Sequence, residues 1–126
     1  MKILLVDDDG FIREMVKTML QPEGYDLVMC GNVDDAISAL SGNVFDIIIT
    51  DLLMPQKTGM DFIKHLKRHK IAVPVLAITG GIENAIDDYV NIGDLYADAT
   101  LPKPVSKDKL IETITRLVQN HARRKA

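Results

Sequence analysis

Five short apolar runs, separated by stretches of helical periodicity, constrain this chain more than any other feature of its sequence. The runs are ILLV (3–6), YDLVMC (25–30), FDIIIT (45–50), VPVLAIT (73–79) and DATL (98–101). Most are continuous and rich in Val and Ile, the pattern of strands covered on both faces. Between them, apolar residues return every three or four positions. Phe11, Ile12, Met15, Val16, Met19 and Leu20 mark one helix face, and Leu110, Ile111, Ile114, Leu117 and Val118 mark another. Weaker helical patterns occupy 34–40, 58–69 and 83–91, which makes five helices. Asn32 is placed to cap the second helix, while Gly24 follows the first and Gly93 the fourth. Alternation of this kind predicts a three-layer, doubly wound α/β domain, with a parallel sheet between two helical layers.

At 126 residues the chain is long enough for one domain with one core, and its connections are too short for a linker. We read 1–126 as a single domain with its core over about 1–120. The basic end, HARRKA (121–126), suits the C-terminus of a helix through the macrodipole. Met1 lies directly on the first strand and RRKA reads as an end, so a complete, stand-alone protein is the expectation, with a receiver excised from a larger regulator or hybrid kinase as the alternative. A net charge of −3 argues against general nucleic-acid binding. The single cysteine, Cys30, excludes an internal disulfide and is expected to be a packing thiol in a reducing cytosol. No apolar run approaches the ~18 residues of a membrane span, and Lys2 leads into a strand, not a signal peptide. A cytoplasmic location is expected.

Ligands of such sheets bind beyond the carboxyl ends of the strands. Asp7, Asp8 and Asp9 follow the first strand there, and Thr50 and Asp51 end the third. Thr79 and Gly80 end the fourth, and Lys103 and Pro104 follow the fifth. Clustered carboxylates repel one another unless a cation joins them, and their hard oxygens suit Mg²⁺. A metal, a lysine and a hydroxyl around a carboxylate are also the parts of phosphoryl transfer, with the carboxylate as nucleophile. His65 and His69 have the spacing of a zinc pair but no third ligand, so they are read as solvated. Met54 is read as packing.

VDD (6–8), DLLMPQKTG (51–59), AITGG (77–81) and LPKP (101–104) together resemble the receiver domain of two-component response regulators, over essentially the whole chain. The resemblance implies a flavodoxin-like, five-stranded parallel sheet of order 2-1-3-4-5. Asp51 matches the phosphoacceptor, which takes its phosphoryl group from the phosphohistidine of a sensor histidine kinase or histidine phosphotransfer protein. Asp7 and Asp8 match the acid pair, Asp8 as a direct Mg²⁺ ligand and Asp7 mostly through water, with Asp51 and the backbone carbonyl of Leu53 completing the protein's share. Thr79 matches the hydroxyl that follows the phosphoryl group and Lys103 the lysine that pairs with it. Asp9 is not a required ligand. The resemblance also implies a cis Lys103–Pro104 peptide, and Pro102 places the fifth strand at an edge.

In function, the resemblance implies a signalling domain that catalyses only its own phosphorylation and dephosphorylation. Its output is a phosphorylation-dependent surface on the fourth helix, fifth strand and fifth helix, presented to a downstream protein, or a step in a phosphorelay. A monomer or phosphorylation-dependent dimer is expected, with no direct nucleic-acid or membrane partner. Thr100 stands where the family often has Tyr or Phe as a rotamer switch, with Tyr89 and Tyr96 as the nearest substitutes in sequence. Leu53 and Gly81 occupy the positions that tune loss of the phosphoryl group, and neither orients a water, so slow self-dephosphorylation is expected. Two other readings compete. LLVDDDGF with GDLYAD (93–98) resembles haloacid-dehalogenase-type phosphatases, with Asp7 as nucleophile and Asp9 as general acid. That reading puts Lys103 on the wrong side of the Gly-Asp motif and leaves Asp-x-x-Met-Pro unexplained. The other is a receiver-shaped docking module that is never phosphorylated.

Overall fold

The computed structural model describes residues 1–52, 54, 57–80 and 97–125. In chain order these form β1 (Lys2–Val6), α1 (Gly10–Leu20), a 3₁₀ turn (Gln21–Glu23), β2 (Asp26–Cys30), α2 (Val33–Leu40) and β3 (Ile47–Asp51). There follow α3 (Gly59–Arg68), β4 (Val75–Thr79), β5 (Ala99–Pro102) and α4 (Lys107–Lys125). All five strands are parallel in one sheet of order β2-β1-β3-β4-β5. The strands and their order agree with the sequence reading. Four α-helices are present among the described residues; the expected helix over 83–91, Gly93 after it, Tyr89 and Tyr96 lie outside them.

Strand alternation divides the core into two layers. Ile3, Leu5, Ile47, Ile49, Leu76 and Ile78 pack with Val16 and Leu20 of α1 and Leu110, Ile114 and Leu117 of α4. Leu4, Val6, Ile48 and Ala77 face the other way, toward Val33 and Ala36 of α2 and Phe62, Ile63 and Leu66 of α3. Helices therefore cover both faces, which is why the central runs are apolar at successive positions. β3 and β4 are buried throughout, whereas the edge strands β2 and β5 are partly open. Pro102, in β5, sits at the edge that its missing N–H requires.

Local chemistry sets the element ends. Asn32 Oδ1 accepts from Asp35 N at 2.8 Å and starts α2 as expected. Thr58 and Asp61 form a reciprocal capping box at α3. α1 stops at Leu20 because Pro22 has no N–H to continue the ladder; the chain tightens into the 3₁₀ turn and leaves through Gly24 at φ 88°. α4 outruns its apolar stripe at both ends: Ser106 Oγ accepts from Lys109 N at 3.2 Å, and no Gly or Pro interrupts the basic end before Lys125. No described helix is long and apolar enough to cross a membrane.

Candidate functional site

Parallel alignment brings the carboxyl ends of β1, β3, β4 and β5 to one rim. Asp7, the first residue past β1, extends the ladder by donating its N–H to Cys30 O at 3.1 Å, and it is fully buried. Asp51 ends β3 and is 3% exposed, while Asp8 faces solvent. Carboxylate oxygens of Asp7, Asp8 and Asp51 all lie within 4.8 Å of one another. Lys103 answers this charge: its Nζ is 3.1 Å from Asp7 Oδ2 and 3.2 Å from Asp51 Oδ2. Burial disfavours the charged lysine, but Asp51 and Asp7 outweigh it and hold the ammonium's pKa above its ordinary value. At the end of β4, Thr79 Oγ1 is buried and has no hydrogen-bond partner among the described residues. A buried, unpaired hydroxyl is costly, so a phosphoryl oxygen within its reach would remove a penalty.

The loops hold this cluster through hydrogen bonds that the sequence did not show. Asp9 donates its N–H to Asp7 Oδ1 at 2.9 Å, and its own Oδ1 accepts from Phe11 N at 2.9 Å as the cap of α1. Its role is thus to start a helix, and the acid cluster does not include it. Arg13 Nη1 donates to Asp7 O at 2.6 Å. A Cβ at Gly10 or Gly31 would stand 3.3 or 3.2 Å from that guanidinium, so both glycines make room for it. The two glycines were the sequence's only hint of this slot. Gly59 packs so tightly on the end of β3 that a Cβ would overlap Asp51 O and lie 2.8 Å from Leu52 Cα. A Cβ at Gly80 would instead meet the Lys103 stem, 2.8 Å from Cδ.

The Lys103–Pro104 peptide is cis, as expected, and Lys103 N donates to Thr79 O at 2.7 Å. Leu53 and Gly81 lie outside the described residues. His65 and His69 stack on each other at 4.1 Å between ring centroids and belong to no group of three potential metal ligands among the described residues. Cys30 and Met54 are core residues, and burial first, then Asp35, pushes the Cys30 thiol's pKa up. Thr100 Oγ1 is buried without a partner on β5, beside Ala77 of β4.

The family model described as the response regulator receiver domain matches residues 3–115. This chain belongs to the response regulator receiver family. The receiver is 32% identical over 116 residues to the response regulator SaeR of Staphylococcus aureus, covering 92% of this chain and 50% of SaeR. It thus spans about half the length of the curated relatives it matches. Among solved structures, the Vibrio cholerae chemotaxis protein CheY4 is 31% identical, with a TM-score of 0.80 over 92% of this chain and 97% of that one. The receiver domain of the Francisella response regulator 1452 is 27% identical, with a TM-score of 0.82 over 94% and 97%. The family match accounts for the Asp-x-x-Met-Pro segment, and nothing favours the phosphatase reading.

Proposed function

We propose that this receiver accepts a phosphoryl group on Asp51 from a protein phosphohistidine. The observation that carries the reading is the meeting of Asp51, Asp7 and Asp8 within 4.8 Å beside the Lys103 ammonium. The donor set is all hard oxygen, carries three negative charges against one lysine, and opens to solvent at Asp8; it fits Mg²⁺, which keeps several waters. Asp8 and Asp51 would hold the ion directly, Asp7 mainly through water, and Leu53 through its carbonyl. When bound, Mg²⁺ neutralises charge on the carboxylates and the phosphoryl oxygens.

The protein's own residues do the rest. An Asp51 carboxylate oxygen attacks phosphorus, forming the O–P bond as the P–N bond to the donor imidazole breaks; the imidazole nitrogen keeps the electron pair and takes a proton from solvent. Lys103 exchanges Asp51 for a phosphoryl oxygen, and Thr79 donates its hydroxyl to another. A protein donor fits the surroundings: an apolar cavity of about 480 Å³ opens beside Lys103, between Phe11, Met15, Ile78 and Val105, and Phe11 is 76% exposed. The helical periodicity over 83–91 supports a fifth helix, and with β5 and α4 it would form the output face toward a downstream protein in the cytoplasm. The chain catalyses no reaction beyond its own phosphorylation and dephosphorylation in this reading.

The test is uptake of label from acetyl phosphate. Wild-type protein should be labelled only with Mg²⁺ present, while Asp51→Asn and Asp8→Ala should not be labelled. Mg²⁺-independent labelling would sink the reading, and failure of the wild type to label at all would favour a docking module.

A further inference from the structure

The α2–α3 flank of the sheet carries a feature that phosphoryl transfer leaves unused. A groove of about 380 Å³ runs there, with the half-buried Ile37 of α2 on its apolar side and the core residue Val33, 2% exposed, at its floor. Lys57, Lys64, His65 and Arg68 line the other side, together with Asp61. The Asp61 carboxylate is already committed to the helix cap, accepting from Thr58 N at 2.8 Å. Lys57 pairs with Asp34 of α2 at 2.6 Å. Among the described residues, Lys64 and Arg68 have no ion-pair partner, and their i, i+4 spacing puts them on one helix face. Burial first, then His69, Arg68 and Lys57, hold the His65 imidazole below its ordinary pKa.

We propose that this groove binds an acidic amphipathic helix of a partner protein, its apolar side chains against the half-buried Ile37 and its carboxylates toward Lys64 and Arg68. A positive wall beside an apolar one, on a chain of net charge −3, is complementary to such a helix. Carboxylates one turn apart on the partner match the i, i+4 spacing of Lys64 and Arg68. A nucleic acid matches less well, because phosphate binding draws on more cations than these and has no use for the apolar side. The groove is lined by none of residues 7, 8, 51, 79 and 103, so the proposal does not depend on the phosphorylation of Asp51.

The experiment titrates the isotope-labelled full chain by NMR at low salt with a synthetic amphipathic peptide, Leu on one face and Glu at i, i+4 on the other. Saturable shifts confined to α2 and α3 are expected. Lys64→Glu combined with Arg68→Glu should weaken binding at least about tenfold; both side chains are exposed, and thermal melting checks that the variant remains folded. Added salt should weaken it too, and the same peptide with Gln for Glu should bind poorly. No saturable shift in α2 and α3, undiminished binding by the charge-reversed variant, or preferential binding of a short DNA duplex at this groove would each overturn the proposal.

Discussion

Arg13 fixes the turn that carries Asp7 and Asp8 by donating to the Asp7 carbonyl, and it does so without touching a substrate. Arg13→Ala should cost about 1.5–3 kcal/mol, the range for a hydrogen bond with a charged partner, and should weaken Mg²⁺ binding. Arg13→Lys should recover only part of that affinity, since an ammonium lacks the guanidinium fork. Thermal melts with and without Mg²⁺ read both effects; wild-type affinity in Arg13→Ala would remove Arg13 from the site's support. The two tight glycines should behave differently. At Gly59 the obstructing atoms are backbone of Asp51 and Leu52. They have nowhere to go, so Gly59→Ala should cost about 1–3 kcal/mol and shift the end of β3. At Gly80 the obstruction is a flexible lysine stem. Gly80→Ala should therefore leave the melting temperature nearly unchanged but slow labelling of the protein, by displacing Lys103. Equal loss of stability in the two variants would contradict this contrast.

The start of α3 couples an element to pH. Hydrogen bonding from the Thr58 backbone holds the Asp61 carboxyl below its usual pKa of 3.8. The folded state therefore favours the ionised acid, and the resulting stability is present above pH 3.8 and lost as pH falls through the lower folded value. Asp61→Asn should flatten the acid limb of a stability profile, measured by denaturant melts across that range; an unchanged acid limb would rule out this cap as a contributor. Elements of this kind were legible in the sequence where one local rule decided them. Continuous Val/Ile runs marked the central strands, Asn32 marked a cap, and Pro102 marked an edge. Pro22 ended α1 through a missing donor, yet the 3₁₀ turn that followed depended on how the chain turns back to β2. Asp9 was read as no required ligand, and its bond to Phe11 N, a matter of loop geometry, gave it a capping role that the sequence did not show. Arg13 was missed for the same reason: its partner is a backbone carbonyl, which no side-chain pattern advertises.

At the scale of the whole molecule, the parallel sheet gathers residues 7, 8, 51, 79 and 103 at one rim, where Asp8 reaches solvent. The sequence showed the strand ends, and the family resemblance supplied the strand order that makes them neighbours. Thr79 and Thr100 each bury a hydroxyl that has no hydrogen-bond partner among the described residues, on adjacent strands. Thr100 lacks the bulk of an aromatic switch, so phosphorylation should shift the β5–α4 surface less than a Tyr or Phe would. NMR shift changes beside Asp51 but none on α4 would mean that no output face exists there. Leu53 and Gly81 offer no group to orient an attacking water, so label should decay slowly with Mg²⁺ present and faster in a Leu53→Asn, Gly81→Glu double variant. The central claim is that Asp51, and no other acid of the rim, is the nucleophile. Its most direct test is mass-spectrometric mapping of the phosphoryl group after treatment with acetyl phosphate and Mg²⁺. The account predicts modification of Asp51 alone, abolished in Asp51→Asn; a phosphoryl group found on Asp7, with undiminished uptake by Asp51→Asn, would contradict it.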